Sequence, residues 1–201
     1  MQTMAPKSLA ILAASFTGVA IPSRFPTWDS ETIFRLFPAS AQAFSKFSRL
    51  NVIFLIISKR SSKDNEVLIG DLNYIAAANS VIHCGGRPHF VDIDITNLGI
   101  DVKKLDIYLK KIAIIKKNKL INKQSKNVIK AIIPTHVFGN ACDIVNLKRI
   151  AQKYKLFLIE DSSESVGSFF KNKHLGTFGD IGVLSFNGNK IITTGGGGAI
   201  L

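Results

Sequence analysis

An acid closes one apolar run of this sequence, and a hydroxyl and an amine follow a second. Ile159-Glu160-Asp161 ends the first run, with Ser162-Ser163-Glu164-Ser165 behind it. Ser185-Phe186-Asn187-Gly188-Asn189-Lys190 follows the second and leads to Thr193-Thr194 and four glycines. A Lys amine that can shed its proton attacks a carbonyl and forms a Schiff base. An Asp carboxylate beside a ring nitrogen holds a proton there and keeps the ring electron-poor. Hydroxyls and bare backbone N–H groups hold a phosphate. Together these are the requirements of pyridoxal phosphate, PLP.

Each residue also has a plainer reading. Asp161 could cap a helix starting at Ser162, and taken alone that reading is the stronger. Lys190 could be a solvated surface Lys, although its uncharged Asn, Gly and Thr neighbours beside apolar runs are unlike a typical surface. The glycines from Gly195 could be a flexible turn. His136, in Thr135-His136-Val137-Phe138-Gly139, could touch substrate in a pocket or be a hydrogen-bonded structural residue. His83, His89 and His174 have no metal-ligand spacing.

The elements that must position these groups are regular from Glu66 onward. Strands are expected at Val67–Ile69, Pro88–Asp92, Val128–Ile133, Leu156–Ile159 and Ile181–Phe186. Helices are expected at Asn73–His83, with Ile75, Ala78, Val81 and Ile82 on one face and a stop at Gly85-Gly86, at Val102 to about Lys116, and at Asp143–Tyr154 with Asp143 as cap. Short continuous apolar strands alternating with helices imply an α/β fold of three layers. Its mostly parallel sheet carries helices on both faces. In such sheets functional residues gather at the carboxyl ends of strands, where Asp161 and His136 fall.

Composition narrows the class. A 201-residue chain that is 46% hydrophobic can bury a sizeable core. Cys84 and Cys142 are far apart and suit reduced thiols in a cytoplasmic protein, not a disulfide framework or zinc site. Ten of the 26 basic residues lie between Lys103 and Lys130, where Asp106 is the only acid. All ten are Lys and Tyr108 is the one aromatic there, so the stretch reads as a solvated helix face and loop, with an anion-binding patch as the other reading. Neither a nucleic-acid nor a membrane partner is expected. No run is long enough to span a bilayer. Ser8–Ile21 is apolar after Lys7, but its cleavage pattern is poor for a signal peptide.

From about Glu66 to Leu201 the sequence resembles the DegT/DnrJ/StrS family of sugar aminotransferases, a branch of the fold-type I PLP enzymes. The likeness is carried, in order, by Asn73-Tyr74-Ile75-Ala76-Ala77-Ala78-Asn79, Cys84-Gly85-Gly86-Arg87-Pro88-His89-Phe90-Val91-Asp92-Ile93-Asp94, Pro134-Thr135-His136-Val137-Phe138-Gly139, Ile159 to Gly167, Gly176-Thr177-Phe178-Gly179-Asp180-Ile181-Gly182, and Ser185 to Gly198. The last segment is most like the branch that makes legionaminic acid, bacillosamine and perosamine precursors.

The resemblance implies that Lys190 binds PLP and shuttles a proton, that Asp161 pairs with the pyridine nitrogen and that Ser185 binds the phosphate. It places Glu164 near the cofactor's 3-oxygen, Tyr74 stacked on one face of the ring, and Ser163 on the other face, where Ala is usual. It implies transfer of an amine from an amino acid, usually L-glutamate, to a keto group of a nucleotide-linked sugar, in a cytoplasmic homodimer, for surface polysaccharide synthesis. A sister group of dehydratases has His where Lys190 stands. The alternative to an enzyme is a non-catalytic basic fragment that binds anions or nucleic acid.

The resemblance also sets expectations where it fails. Residues 1–50 match nothing in the family and are unassigned, readable as an artefact of a frameshift or wrong start. Asn51–Ser58 is a buried strand or helix end, and the family's Gly-Thr-Ala phosphate turn is not found. Residues 51–201 would be part of the PLP-binding large domain, without the C-terminal small domain, and this polypeptide alone is expected to be poorly soluble and inactive.

Overall fold

A computed structural model describes residues 65–201; the readings made for residues 1–50 and 51–64 lie outside them. The elements run β1 (Glu66–Gly70), α1 (Ala76–His83), β2 (Arg87–Val91), α2 (Val102–Ile112), β3 (Ala113–Lys116), β4 (Lys119–Asn122), β5 (Val128–Ile133), a single 3-10 turn (Val137–Gly139), α3 (Ile144–Tyr154), β6 (Phe157–Asp161), β7 (Phe169–Phe170), β8 (Lys173–His174), β9 (Ile181–Ser185) and β10 (Gly198–Ile200). The main sheet has the order β10-β9-β6-β5-β1-β2. Every neighbouring pair on this path is parallel except β10 with β9.

Strand alternation divides the core as a three-layer fold requires. Val67, Ile69, Ala131, Ile133, Ile159 and Val183 face α1 and pack on Ala77, Ala78 and Val81. Leu68, Ile132 and Leu158, one residue out of phase, face α2 and α3 and pack with Leu105, Leu109, Leu147 and Ile150. The expected α/β class, mostly parallel sheet and two helical layers are all present.

Local signals explain most boundaries. Asp101 caps α2 by accepting from Lys104 N at 3.0 Å, and Asp143 caps α3 by accepting from Asn146 N at 3.4 Å. Gly85, at φ 73°, ends α1 as Gly85 N and Gly86 N donate to the carbonyls of Ile82 and Val81.

Three expectations need correction. The first helix begins at Ala76, not Asn73, and its inner face is Ala77, Ala78, Ser80 and Val81. Ile75 and Ile82 are 61% and 56% exposed. Helix α2 stops at Ile112, four residues short of Lys116. The β-branched pair Ile114-Ile115 instead starts an antiparallel ribbon, Ile114 opposite Ile121 and Ile115 opposite Leu120. The ribbon turns at Lys117 and Asn118, both at positive φ (49° and 59°), as a two-residue primed turn demands. Finally, Asp161 is the last residue of β6, and no helix follows it for it to cap.

Candidate active site

The carboxyl ends of β5, β6 and β9 bring the predicted residues into one region. β6 pairs with β9 in register, Asp161 opposite Val183, so Asp161 and Ser185 end adjacent strands. On the other side Thr135 bridges to Asp161, with Asp161 N donating to Pro134 O at 2.9 Å and His136 N donating to Asp161 O at 3.1 Å. The backbone that presents the Asp161 carboxylate is thus held from both flanks.

Asp161, Ser163, Ile133, Ile159 and Val183 line a shallow recess, open to solvent, whose remaining wall is Ala76 and Ala77 at the start of α1. Ser163 donates to Asp161 Oδ1 from its N–H at 3.2 Å and its hydroxyl at 2.5 Å. Oδ2 accepts no hydrogen bond among the described residues. Tyr74 lies two residues before Ala76 and is 66% exposed, beside the recess and not in its wall.

A second group stands on the loop that continues from Ser163. Lys190 Nζ donates to Glu164 Oε1 at 2.9 Å, and the Lys190 side chain is only 6% exposed. Glu164 Oε2 accepts from Phe138 N at 3.3 Å. Phe138 and Gly139 both have positive φ, 53° and 78°, and a Cβ on Gly139 would stand 2.9 Å from Glu164 O. Glycine is therefore required for the turn to reach the Glu164 loop. Ser185 is buried, its hydroxyl accepting from Asn187 N at 3.3 Å. Lys190 is not part of the recess wall; it joins the site through Glu164.

His136 departs from its reading as a substrate contact. It has no exposed surface and both ring nitrogens are engaged within the chain. Nδ1 accepts from Cys142 N at 3.3 Å, which leaves the ring proton on Nε2 to donate to Glu160 Oε2 at 3.0 Å. Glu160 is equally enclosed and also accepts from Gly176 N at 2.9 Å and Gly179 N at 2.5 Å. Burial pushes its carboxyl up, but the bonds from His136, Gly179 and Gly176 together hold it below the ordinary value. Sequence reasoning gave Glu160 no role. The available signal was a carboxylate inside an otherwise apolar strand, which must have partners when buried.

The donor set fits PLP. A carboxylate with a free oxygen lines a recess at the carboxyl end of the sheet, a buried hydroxyl ends the neighbouring strand, and Glu164, on the loop that follows, holds an enclosed amine and a glycine-bearing turn. Thr135 Oγ1, beside Asp161, is buried without a partner. Such a group costs free energy unless a ligand or water satisfies it.

The model of the DegT/DnrJ/EryC1/StrS aminotransferase family matches residues 51–201. The GDP-perosamine synthase of Caulobacter vibrioides is 40% identical over 136 residues, 68% of this chain and 32% of that protein. That of Escherichia coli O157:H7 is 38% identical over 140 residues, 70% of this chain and 34% of that protein. Among solved structures, a DegT DnrJ EryC1 StrS aminotransferase from Brucella abortus superposes with a TM-score of 0.64 at 29% identity, over 74% of this chain and 38% of that one. A GDP-4-keto-6-deoxymannose-3-dehydratase with bound GDP-perosamine gives 0.60 at 28% identity, over 76% and 36%. The chain spans about a third of the length of these curated relatives. With the family model covering most of its length and all its site elements, the chain belongs to the DegT/DnrJ/EryC1/StrS aminotransferase family.

Proposed function

We propose that the intact protein is a PLP-dependent aminotransferase. It moves an amine from an amino acid, L-glutamate, to a keto carbon of a nucleotide-linked sugar, in the cytoplasm and as a homodimer, for surface polysaccharide precursors. Residues 51–201 supply part of its PLP-binding domain. The observation that carries this reading is Lys190. Its amine is enclosed, lies 2.9 Å from Glu164, and belongs to the same strand-end region as Asp161. Two GDP-perosamine synthases among the relatives support a nucleoside-diphosphate sugar as substrate. The dehydratase among the similar structures represents the other chemistry of the family, and Lys190, in place of His, favours amine transfer.

Bound PLP supplies an electron sink at the substrate carbon that gains or loses the amine. Lys190 Nζ would anchor the cofactor and, as a free amine, would hold and move the reaction's proton at that nitrogen. Asp161 Oδ2 would accept from the ring N–H and so keep that charge in place. Ser185 and the N–H groups near it would hold the phosphate. Ser163, in the recess wall, and Tyr74, two residues before Ala76, would pack on the two ring faces. Glu164 orients the Lys190 amine between turns. A serine in place of alanine at Ser163 adds a hydroxyl that bonds Asp161 and fixes its carboxylate.

The test is the visible absorbance of the intact protein after incubation with PLP. The expected band disappears in Lys190→Ala while that variant keeps its circular dichroism spectrum. An intact, folded protein that remains colourless with PLP refutes the reading.

A further inference from the structure

The lysines gather at the end of the sheet remote from the site. Between Asp106 and Asp143 the sequence holds eight Lys and no Asp or Glu. β4 pairs with Val128 and Ile129, the first residues of β5, whereas the last residues of β5 run on to Pro134 and the Asp161 region. The ribbon β3–β4 therefore stands at the amino ends of the parallel strands. Lys110 and Lys111 close α2 there, and Lys123 Nζ donates to both their carbonyls at 3.3 and 2.8 Å. Lys116, Lys117, Lys119 and Lys126 are exposed. Glu66 is the acid beneath them, but it is 4% exposed and engaged by His89, Asn122 and Ser125. Lys110 pairs with Asp106 at 2.8 Å, but Lys116, Lys117, Lys119 and Lys126 meet no carboxylate among the described residues, so this end carries a positive field.

The ribbon is also apolar where a solvated one would be polar. Ile114 and Ile115 point to opposite faces of β3, yet are 54% and 47% exposed, and Ile107 on the last turns of α2 is 68% exposed. Exposed aliphatic side chains flanked by lysines are the composition of a surface that lies in a lipid headgroup layer. A nucleic-acid surface would instead carry arginines and stacking aromatics. From Lys103 to Lys130 there is no Arg, and Tyr108, the one aromatic there, holds its hydroxyl 2.9 Å from His89 Nε2.

We propose that the β3–β4 ribbon and the lysines around it dock on an anionic lipid surface, Ile114 and Ile115 entering the headgroup region. This departs from the expectation of no membrane partner, which rested on the lack of a spanning segment. Among the described residues no helix is long and apolar enough to cross a membrane, and peripheral docking needs none. The proposal is independent of the reaction assigned above. Docking by this end leaves the carboxyl ends of the strands, with Asp161 and Lys190, facing solution.

Sedimentation of the intact protein with vesicles tests it. The two compositions are phosphatidylcholine alone and phosphatidylcholine mixed with phosphatidylglycerol. The expected result is binding to the mixed vesicles only, weakening as salt is added. Lys116→Glu/Lys119→Glu lowers this binding roughly tenfold or more, as loss of about 1 kcal/mol per lysine requires. Lys116→Gln/Lys119→Gln lowers it less, and Ile114→Ser/Ile115→Ser also weakens it. The charge-matched Lys103→Glu/Lys171→Glu changes it little. Failure to bind mixed vesicles overturns the proposal. So does equal loss in the charge-matched variant, which would mean net charge alone acts. Tighter binding to a single-stranded oligonucleotide that ignores the Ile→Ser changes, or concentration-dependent self-association abolished by them, assigns the surface to another partner and equally overturns it. Circular dichroism of each variant separates these outcomes from unfolding.

Discussion

Glu160 and His136, 24 residues apart, meet at 3.0 Å with no exposed surface on either. Glu160 is the residue before Asp161, so its side chain projects to the opposite face of the sheet. There it ties β6 to the end of β5 through His136, and to the loop before β9 through Gly176 and Gly179. The carboxylate assigned to the cofactor thus stands on backbone that its neighbour has fixed.

Replacing Glu160 by Ala strands three donors, from His136, Gly176 and Gly179. We expect a loss of about 3–5 kcal/mol in urea unfolding of the intact protein, at about 1–3 kcal/mol for each stranded buried donor. Its folded pKa lies below the ordinary 4.5, so the unfolded state binds more protons in the window between. The Glu160 contribution is therefore complete above about pH 4.5 and is lost as pH falls through the lower folded value. An unchanged unfolding midpoint in Glu160→Ala refutes this.

Glu66 makes a similar argument at the other end of the sheet. Burial raises its carboxyl, but hydrogen bonds from His89, Ser125 and Asn122 outweigh that and bring it to about 2. The interval from the ordinary 4.5 is worth about 3 kcal/mol of stability, present above pH 4.5 and lost between there and about pH 2. Glu66→Gln is expected to be less stable at neutral pH and to show a flatter acid limb. Parallel acid limbs for the two proteins would remove Glu66 as the cause.

Glu164 holds Lys190 at 2.9 Å and the Phe138 N–H at 3.3 Å. Its side chain is 40% exposed, so its loss should cost little stability. It should instead misplace the amine. Glu164→Ala is expected to lower kcat/KM roughly 10- to 100-fold with the unfolding midpoint nearly unchanged. Wild-type kinetics in that variant would mean Lys190 is placed without it.

Gly139→Ala probes the same contact from the backbone. The new Cβ would stand 2.9 Å from Glu164 O at a φ of 78°. A cost of about 1–3 kcal/mol, together with weaker PLP binding, is expected. Stability loss with PLP affinity intact would show that the turn and the site are uncoupled.

In the ribbon, Lys117→Asn with Asn118→Gly installs the pair that the primed turn favours most. Thermal unfolding should show a gain of about 1 kcal/mol. A loss would indicate that the Lys117 side chain supports the turn.

Element types were legible in the sequence because they depend on local pattern. Apolar runs of strand length, caps at Asp101 and Asp143, the Gly85-Gly86 stop, and the strand-end position of Asp161 are all readable over a few residues. The α2 boundary was misread because Ala113-Ile114-Ile115 is apolar in either state, and pairing with Leu120–Asn122 decides for strand. The inner face of α1 was misread for a related reason. Ile75 and Ile82 look like core residues until the sheet is laid against Ala77, Ala78 and Val81. Tertiary structure alone decided the long-range pairs: Lys190 with Glu164, His136 with Glu160, and Glu66 with His89, Asn122 and Ser125. Such partners are chosen by strand order and register, through which chain segments far apart in sequence compete to satisfy one buried charge, and no local pattern encodes that choice.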